Sequence, residues 1–312
     1  GDKYLSDDGS YKEVSGGGGG ATEADVKGWI ARNIATNNAY SAFITPPSVD
    51  TNATLALGSY AEARNTNSIA IGNRTKAVWL HSLSIGTEAQ SMGAYAVSLG
   101  YRAKSGQNSV SIGSEASNTT LSVSVGYKAA TTFSNSVCLG SNTTTTSTHQ
   151  VQLGDSQTTT YAYGAVQDRS DIRDKTDIRD IELGLDFINK LRPVEYRWDY
   201  REDYFADVAP KREDFDSDEE YSAAYEQARI SFFENPIKDG SKTRVRHHTG
   251  LIAQEVKQVM DDLGVDFGGF QHHQEKGGLD VMSLGYNELI AVLIKAVQEI
   301  SQEIDTLKQP IS

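Results

Sequence analysis

The sequence predicts an all-β repeat followed by an α+β domain that ends in a coiled coil. Three observations carry this. An aliphatic–small–aliphatic–glycine pattern recurs eight times in the first half, composition and charge change abruptly near position 170, and a heptad seam runs through residues 286–307. The 312 residues carry a formal net charge of −13. Residues 1–169 hold 11 Lys+Arg and 12 Asp+Glu, a net of −1, whereas residues 170–312 hold 18 and 30, a net of −12. A near-neutral, small-residue front and an acidic back argue for two bodies with different tasks. The acidic balance, with no basic cluster to displace counterions from phosphates, excludes a nucleic-acid partner. Cys138 is the only cysteine, which rules out an intrachain disulfide and cysteine-rich zinc sites. No apolar run approaches the roughly 18 residues of a membrane span, so no membrane insertion is expected. The chain begins at Gly1 with no signal-peptide pattern and reads as a fragment of a longer polypeptide.

Residues 1–50 read as a linker and a short helix. "YLSDDGSYKEVSGGGGG" is turn-rich and ends in five glycines, Gly16 to Gly20, a flexible joint. In "ATEADVKGWIARNIA", Thr22 and Asp25 have capping-box spacing, and Val26, Trp29, Ile30 and Ile34 share one helical face.

Residues 51–155 are the repeat: "TLALG", "SIAIG", "SLSIG", "AVSLG", "SVSIG", "SVSVG", "SVCLG", "QVQLG". Their glycines, Gly58, Gly72, Gly86, Gly100, Gly113, Gly126, Gly140 and Gly154, are spaced by 14, 14, 14, 13, 13, 14 and 14 residues. Aliphatic residues one and three places before each glycine, with a small residue between, have the period-two alternation of a short half-buried strand. The glycine suits a turn with positive φ or close backbone approach. A second small residue follows three places later: Ala61, Thr75, Ala89, Ala103, Ala116, Ala129 and Thr143. One coil per repeat at strand spacing gives a rod of about 34 Å, in which stacking rather than any single coil supplies the core. Cys138 stands at the small central position of its repeat and is expected to be packed and unreactive.

Residues 156–169 form a connector. Beyond it, "IELGLDFINKL" has helical spacing and stops at Pro193, and "PVEYRWDY" alternates like a strand. The acidic, aromatic stretch from 201 to 245 is predicted helical from Ser217, and "TGLIAQEVKQVMDDLG" is a helix stopped by Gly264. Tyr286, Ile290, Leu293, Val297, Ile300, Ile304 and Leu307 recur at alternating spacings of four and three. That is a heptad seam, and isoleucine at several core positions favours three strands.

The repeat resembles the head repeats of trimeric autotransporter adhesins, with their "SVAIG" core and trailing alanines. The resemblance implies a left-handed parallel β-roll assembled as an intertwined trimer. The back half resembles the C-terminal intramolecular chaperone, or auto-processing, domain of phage tail fibres, tailspikes and endosialidases. It does so through "SDIRDK" at 170–175, "GLDFINKLRPVEYRW" at 184–198, "HHTGLIAQEV" at 247–256 and "LDVMSLGYNELIAVLIKAVQEI" at 279–300. This likeness covers residues 170–312. It implies a domain that trimerises, guides folding of the preceding β-structure, and then cuts the chain before its serine. Carried over by residue, Ser170 is the nucleophile, Lys175 its base, and Arg169–Ser170 the scissile bond.

The chemistry is consistent with that transfer. A serine hydroxyl needs an adjacent base to attack an amide, and lysine serves only when burial or a cationic neighbour lowers its pKa. Five residues span roughly 16 Å in a strand and about 140° in a helix. The pair therefore needs either a sharp turn or a lysine from a neighbouring chain. Arg173 is placed to help electrostatically, and Asp171, Asp174 and Asp177 to oppose if they lie close. His248, Gln254 and Glu255 match the family's motif and either orient the site or hold the fold. His247/His248 and His272/His273 do not repeat a carboxylate–histidine spacing, so no metal and no cofactor are expected.

The reading that results is the distal part of a bacteriophage tail fibre or spike. It would be a homotrimer at the fibre tip of the virion, folded in the host cytoplasm before assembly, whose β-roll contacts a polysaccharide or outer-membrane protein receptor. Trp79, Tyr95, Tyr101 and Tyr127 interrupt the small-residue roll and are the candidate receptor contacts, although packing at coil ends explains them equally. A bacterial trimeric surface adhesin is the runner-up, but the C-terminal sequence lacks the membrane strands for anchoring. A polysaccharide-degrading tailspike would need paired carboxylates in a cleft, and the roll offers only the scattered Glu62, Glu88 and Glu115.

Overall fold

The computed structural model describes residues 3–5, 11–13, 42–44 and 54–308. The glycine joint and the helix expected over 22–34 lie outside the described residues. Contacts divide the chain into two compact units, Gly1–Asn108 and Ser109–Ser312.

The first unit holds an antiparallel pair, Lys3–Leu5 with Tyr11–Glu13, and the first coils of a parallel β-solenoid. Each coil has a long strand before its glycine: Leu55–Leu57, Ile69–Ile71, Leu83–Ile85 and Val97–Leu99. These pair in parallel at the register of the repeat, Leu55 with Ile69, Ile69 with Leu83 and Leu83 with Val97. Ala42–Ile44 pairs antiparallel with Leu55–Leu57 at the edge of that ladder. A second, two-residue strand lies on the other side of each coil, at Glu62–Ala63, Lys76–Ala77, Gln90–Ser91 and Lys104–Ser105.

The period-two alternation resolves with the small side chains inside. Ala70, Ser84 and Ser98 are fully buried, as are Thr75, Ala89 and Ala103, whereas an aliphatic neighbour such as Ile85 is exposed. The interior hydroxyls tie the two sides of the coil together. Ser84 Oγ donates to the Lys76 carbonyl at 2.7 Å, Ser91 Oγ to that of Leu83 at 2.8 Å, and Ser98 Oγ to that of Gln90 at 2.9 Å. Each such bond is worth about 1 kcal/mol net, and they recur from coil to coil.

Two non-glycine residues per coil turn the chain through the left-handed region. Tyr60, Arg74, Glu88 and Arg102 form one corner, and Asn67, His81, Tyr95 and Asn108 the other, with φ between 52° and 60°. That conformation costs roughly 1–2 kcal/mol per residue, an outlay that only a regular stack of hydrogen bonds offsets. The repeat glycines are needed for close approach as well as for φ. Gly72 has φ +136°, and a Cβ there would lie 2.6 Å from the Gly86 carbonyl oxygen of the next coil.

The second unit holds the later coils, with long strands Val110–Ile112, Val123–Val125, Val137–Leu139 and Val151–Leu153. The short spacing between Gly113 and Gly126 is absorbed between the two corners, because Glu115 and Leu121 are both left-handed and lie one residue closer together than the next pair, Lys128 and Asn135. The long ladder therefore keeps its register, Val110 with Val123 and Val123 with Val137. Cys138 occupies the interior position. It is fully buried, its thiol donates to the Ala130 carbonyl at 3.2 Å, and burial pushes its pKa up to about 12.

After the coils come five helices: α1 (Leu185–Lys190), α2 (Arg201–Val208), α3 (Asp218–Glu234), α4 (Ala253–Leu263) and α5 (Glu288–Leu307). Two small antiparallel pairs accompany them, Val194–Arg197 with His247–Gly250 and Phe270–His272 with Met282–Leu284. The predicted boundaries hold where capping chemistry marks them. Ser217 Oγ accepts from the Glu220 N–H at 3.1 Å to start α3, and Gly264, at φ +64°, ends α4. One core joins Phe187 of α1, Val256 and Met260 of α4, Phe267, and Leu289 and Val292 of α5. A second joins Tyr204 and Phe205 of α2, Phe232 and Phe233 of α3, and Leu279, with Phe133 of the last coils packed against it.

Two outcomes follow. Gly72→Ala should cost on the order of 1–3 kcal/mol in strain, lowering the thermal midpoint well below that of Gly164→Ala, whose Cβ meets nothing within 4 Å. Cys138 should resist alkylation at pH 8 in the folded protein and react once the chain is unfolded in denaturant. The shift from 9.0 to about 12 leaves on the order of a thousandfold less thiolate.

Candidate functional site

Residues 157–170 are exposed throughout. They lead into a single turn of 3-10 helix over Ile172–Asp174. Asp171 starts that turn, its Oδ1 accepting from the Arg173 N–H at 2.9 Å. The turn is closed by Asp174 N–H to the Asp171 carbonyl at 3.0 Å and by Lys175 N–H to the Ile172 carbonyl at 3.2 Å. This is the sharp turn that neither a strand nor a helix would supply. It brings the Lys175 ammonium 2.7 Å from Ser170 Oγ, within one chain.

The nearby carboxylates are engaged elsewhere. Arg173 holds Asp171 through its guanidinium at 2.5 Å, and this bond keeps the Asp171 carboxyl below its ordinary pKa and raises that of Arg173. Asp174 is paired with Arg169 Nε at 2.8 Å. The residues on either side of the proposed scissile bond are thus braced across the same turn. One residue further upstream, Asp168 Oδ2 accepts from Asn287 Nδ2 at 3.3 Å. Asn287 is the N-cap of α5, and its side chain makes no capping bond of its own. Nothing in the sequence singled out Asn287, because its partner lies 119 positions away.

The other candidates sit apart from this pair. His248 lies in the strand His247–Gly250, stacked on Tyr196 with ring centroids 6.0 Å apart and tilted against Trp198. Glu255, beside Gln254 in the first turn of α4, is paired with Arg192. Among the described residues no hydrogen bond or ring contact joins His248, Gln254 or Glu255 to Ser170 or Lys175. His272 is bonded to Asp280 at 3.0 Å and His273 to Thr146 Oγ1 at 2.8 Å, and burial lowers the His273 pKa. Among the described residues no group of three or more His, Cys, Asp or Glu is arranged to hold a metal. Trp79, Tyr95, Tyr101 and Tyr127 are all exposed. Tyr95 stacks on His81 at 5.1 Å, while Arg102 lies over the Tyr101 ring at 4.9 Å and Lys128 over Tyr127 at 5.2 Å.

Helix α5 is two-faced. Leu289, Val292 and Ala296 are buried in the domain, and Glu299 Oε2 accepts the Leu185 N–H at 2.7 Å, joining α5 to the start of α1. That bond, with Lys295 adding to it, holds the Glu299 carboxyl below its usual range. The heptad residues Tyr286, Ile290, Leu293, Val297, Ile300, Ile304 and Leu307 are between 40% and 85% exposed.

Comparison with known families agrees with both halves. Residues 170–221 match the chaperone of endosialidase, a peptidase family, and the match begins at Ser170 itself. Residues 52–75 match two copies of the YadA head domain repeat. No curated protein matches the chain. Among solved structures, the collagen-binding domain of the Yersinia adhesin YadA is similar at 19% identity, covering 43% of this chain and 89% of that one, with a TM-score of 0.28. The chain therefore carries an adhesin-type head of stacked β-coils followed by a chaperone domain of the endosialidase type. That domain is of a self-cleaving peptidase class.

Proposed function

We propose that this chain is the distal part of a bacteriophage tail fibre or spike. In this reading it is a homotrimer whose β-roll contacts a host polysaccharide or outer-membrane protein, with Trp79, Tyr95, Tyr101 and Tyr127 as contact residues. Its C-terminal domain sets the three chains in register and then severs Arg169–Ser170 once per chain. It acts at the fibre tip of the virion, having folded in the host cytoplasm. The observation that carries the reaction is the 2.7 Å contact between Lys175 Nζ and Ser170 Oγ at the first residue of the chaperone match.

The chemistry is an N-to-O acyl shift. Ser170 Oγ attacks the Arg169 carbonyl carbon, and Lys175, in its neutral form, takes the hydroxyl proton. The C–N bond breaks, Lys175 returns the proton to the leaving amine, and an ester joins Arg169 to the Ser170 side chain. Water then hydrolyses the ester, freeing the Arg169 carboxylate and a chain that begins at Ser170. Lysine can act as this base only where burial disfavours its charge. Lys175 is exposed in the single chain, so the burial must come from assembly.

Two apolar surfaces support the trimer. The heptad face of α5 is uncovered over six positions, Ile290 to Leu307, and Ile85, Ile112 and Leu139 stand exposed beside the buried interior of their coils. Apolar patches of that kind mark interfaces. The turn at Ser170 links cutting to the same helix, because Asn287 at the start of α5 holds Asp168.

Freshly expressed protein should run as a front piece and a back piece starting at Ser170. Ser170→Ala and Lys175→Met should each stay uncut yet remain trimeric by light scattering. Cutting of Ser170→Ala at the same bond would overturn the assignment. Asn287→Ala should cut more slowly by roughly two- to tenfold, the scale of one hydrogen bond, with the trimer intact.

A further inference from the structure

The bond proposed to be cut lies in an exposed connector, but the two pieces it would create are joined elsewhere in the second unit. Arg229 of α3 is only 3% exposed. Its Nη2 donates to the Thr145 carbonyl at 2.8 Å and its Nη1 to Thr132 Oγ1 at 3.1 Å. Around it, Phe133 packs against Tyr204, Phe205, Phe232, Phe233 and Leu279. The Leu279 N–H donates to the Thr146 carbonyl at 2.8 Å, and His273 Nδ1 meets Thr146 Oγ1 at 2.8 Å. Further along, Ser156 Oγ donates to Asp203 and accepts from Arg244.

The position of these contacts on the coil is telling. In earlier coils the carbonyl equivalent to Thr145 is taken by a backbone N–H of the coil before it. Arg64 N–H serves Ala77, Met92 N–H serves Ser105, and Thr119 N–H serves Thr131. The short ladder ends after Ala130–Thr131, with only an isolated bridge from Ala130 to Thr144. There the Arg229 guanidinium takes the Thr145 carbonyl, and the Leu279 N–H takes that of Thr146. The C-terminal domain thus supplies hydrogen-bond donors to a sheet end, the kind of unpaired backbone that otherwise recruits other strands.

We propose that the cut does not release the C-terminal piece. It stays seated on residues 130–147 of the front piece, with Arg229 as the central anchor, and caps the last carbonyls of the short ladder. This rests on reading Arg169–Ser170 as the bond that is cut. Cleaving one peptide bond removes the tether and leaves every contact of the seat in place. Departure would uncover Phe133 and strip Arg229 of its two acceptors on the front piece, leaving it Glu226 at 3.9 Å.

The test makes the cut independent of self-processing. A specific protease site is inserted after Gly164, in open space, in the full chain carrying Ser170→Ala. Once a denaturing gel shows complete cutting, the two pieces should co-elute from a sizing column at micromolar concentration and appear together by native mass spectrometry. Arg229→Met should dissociate roughly tenfold faster or more, the scale of a buried charged group losing its partners. Thr132→Ala, which removes one acceptor from the front piece, should move the rate the same way by less and guards against misfolding of the arginine variant. Wild-type pieces that elute apart, or Arg229→Met pieces held as firmly as wild type, would overturn the proposal. If the unmodified chain fails to cut itself while the protease-cut pieces co-elute, the self-processing reading fails and the seat stands.

Discussion

The interior of each coil holds methyls, hydroxyls and one thiol: Ala70, Ser84, Ser98, Ser111, Ser124 and Cys138. Two strands of two or three residues, folded over that interior, leave no room for a larger side chain. The glycine ladder tightens the constraint further, because at Gly72 the next coil's carbonyl occupies the place of a Cβ. Such a core buries little apolar area per residue, and area is what the hydrophobic effect scales with. Stability must come from regular hydrogen bonding along the stack and from the aliphatic residues that the strands turn outward. Those residues need a partner surface, and nothing in a single coil provides one.

This explains why a fold of this kind comes with a helper. When the larger apolar side chains face out, correct alignment of chains is part of folding rather than a later step. A sheet in which every coil resembles the next specifies register weakly. In the proposed trimer the heptad face of α5 would specify it well, because its apolar residues can mesh in only a few ways, and covalent linkage would raise the effective concentration of the three heads once three tails had met. The α5 helix divides these tasks between its faces. Leu289, Val292 and Ala296 are buried in the domain, and Ile290, Leu293, Val297 and Ile304 are left exposed, free for the other chains of the proposed trimer.

Much of this was legible in the sequence because it rests on local chemistry. Glycine spacing marked the coils, Ser217 and Gly264 marked helix ends, and the alternation of four and three marked the exposed apolar face of α5. What stayed hidden had no local signal. The second strand of each coil is two residues long and mostly polar, as in Gln90–Ser91, too short for any period to show. The left-handed corners fall on Tyr60, His81 and Leu121, residue types that do not advertise that conformation, and only the stack imposes it. Arg229 looked like one more charge on an acidic, aromatic helix. Its burial is matched by the Thr145 carbonyl and the Thr132 hydroxyl, 84 and 97 positions away in the chain. The Ser170–Lys175 pair was visible by likeness, but its closure depended on Asp171 nucleating a turn, which spacing alone could not decide.

The turn also bears on how the proposed cut could be made to wait. Arg169 is braced by Asp174, Asp171 by Arg173, and Asp168 by Asn287, so the segment before the proposed bond and the lysine after it are positioned within a single chain. The Ser170–Lys175 contact is therefore already in place in one chain, and the proposed reaction would still require surroundings that disfavour the charged form of an amine. An unpaired, buried lysine in a lone chain would be destabilising. Under the proposed function, a site divided this way, with geometry in the chain and desolvation supplied by neighbouring chains, would tie the chemical step to the completeness of the assembly rather than to the presence of the residues.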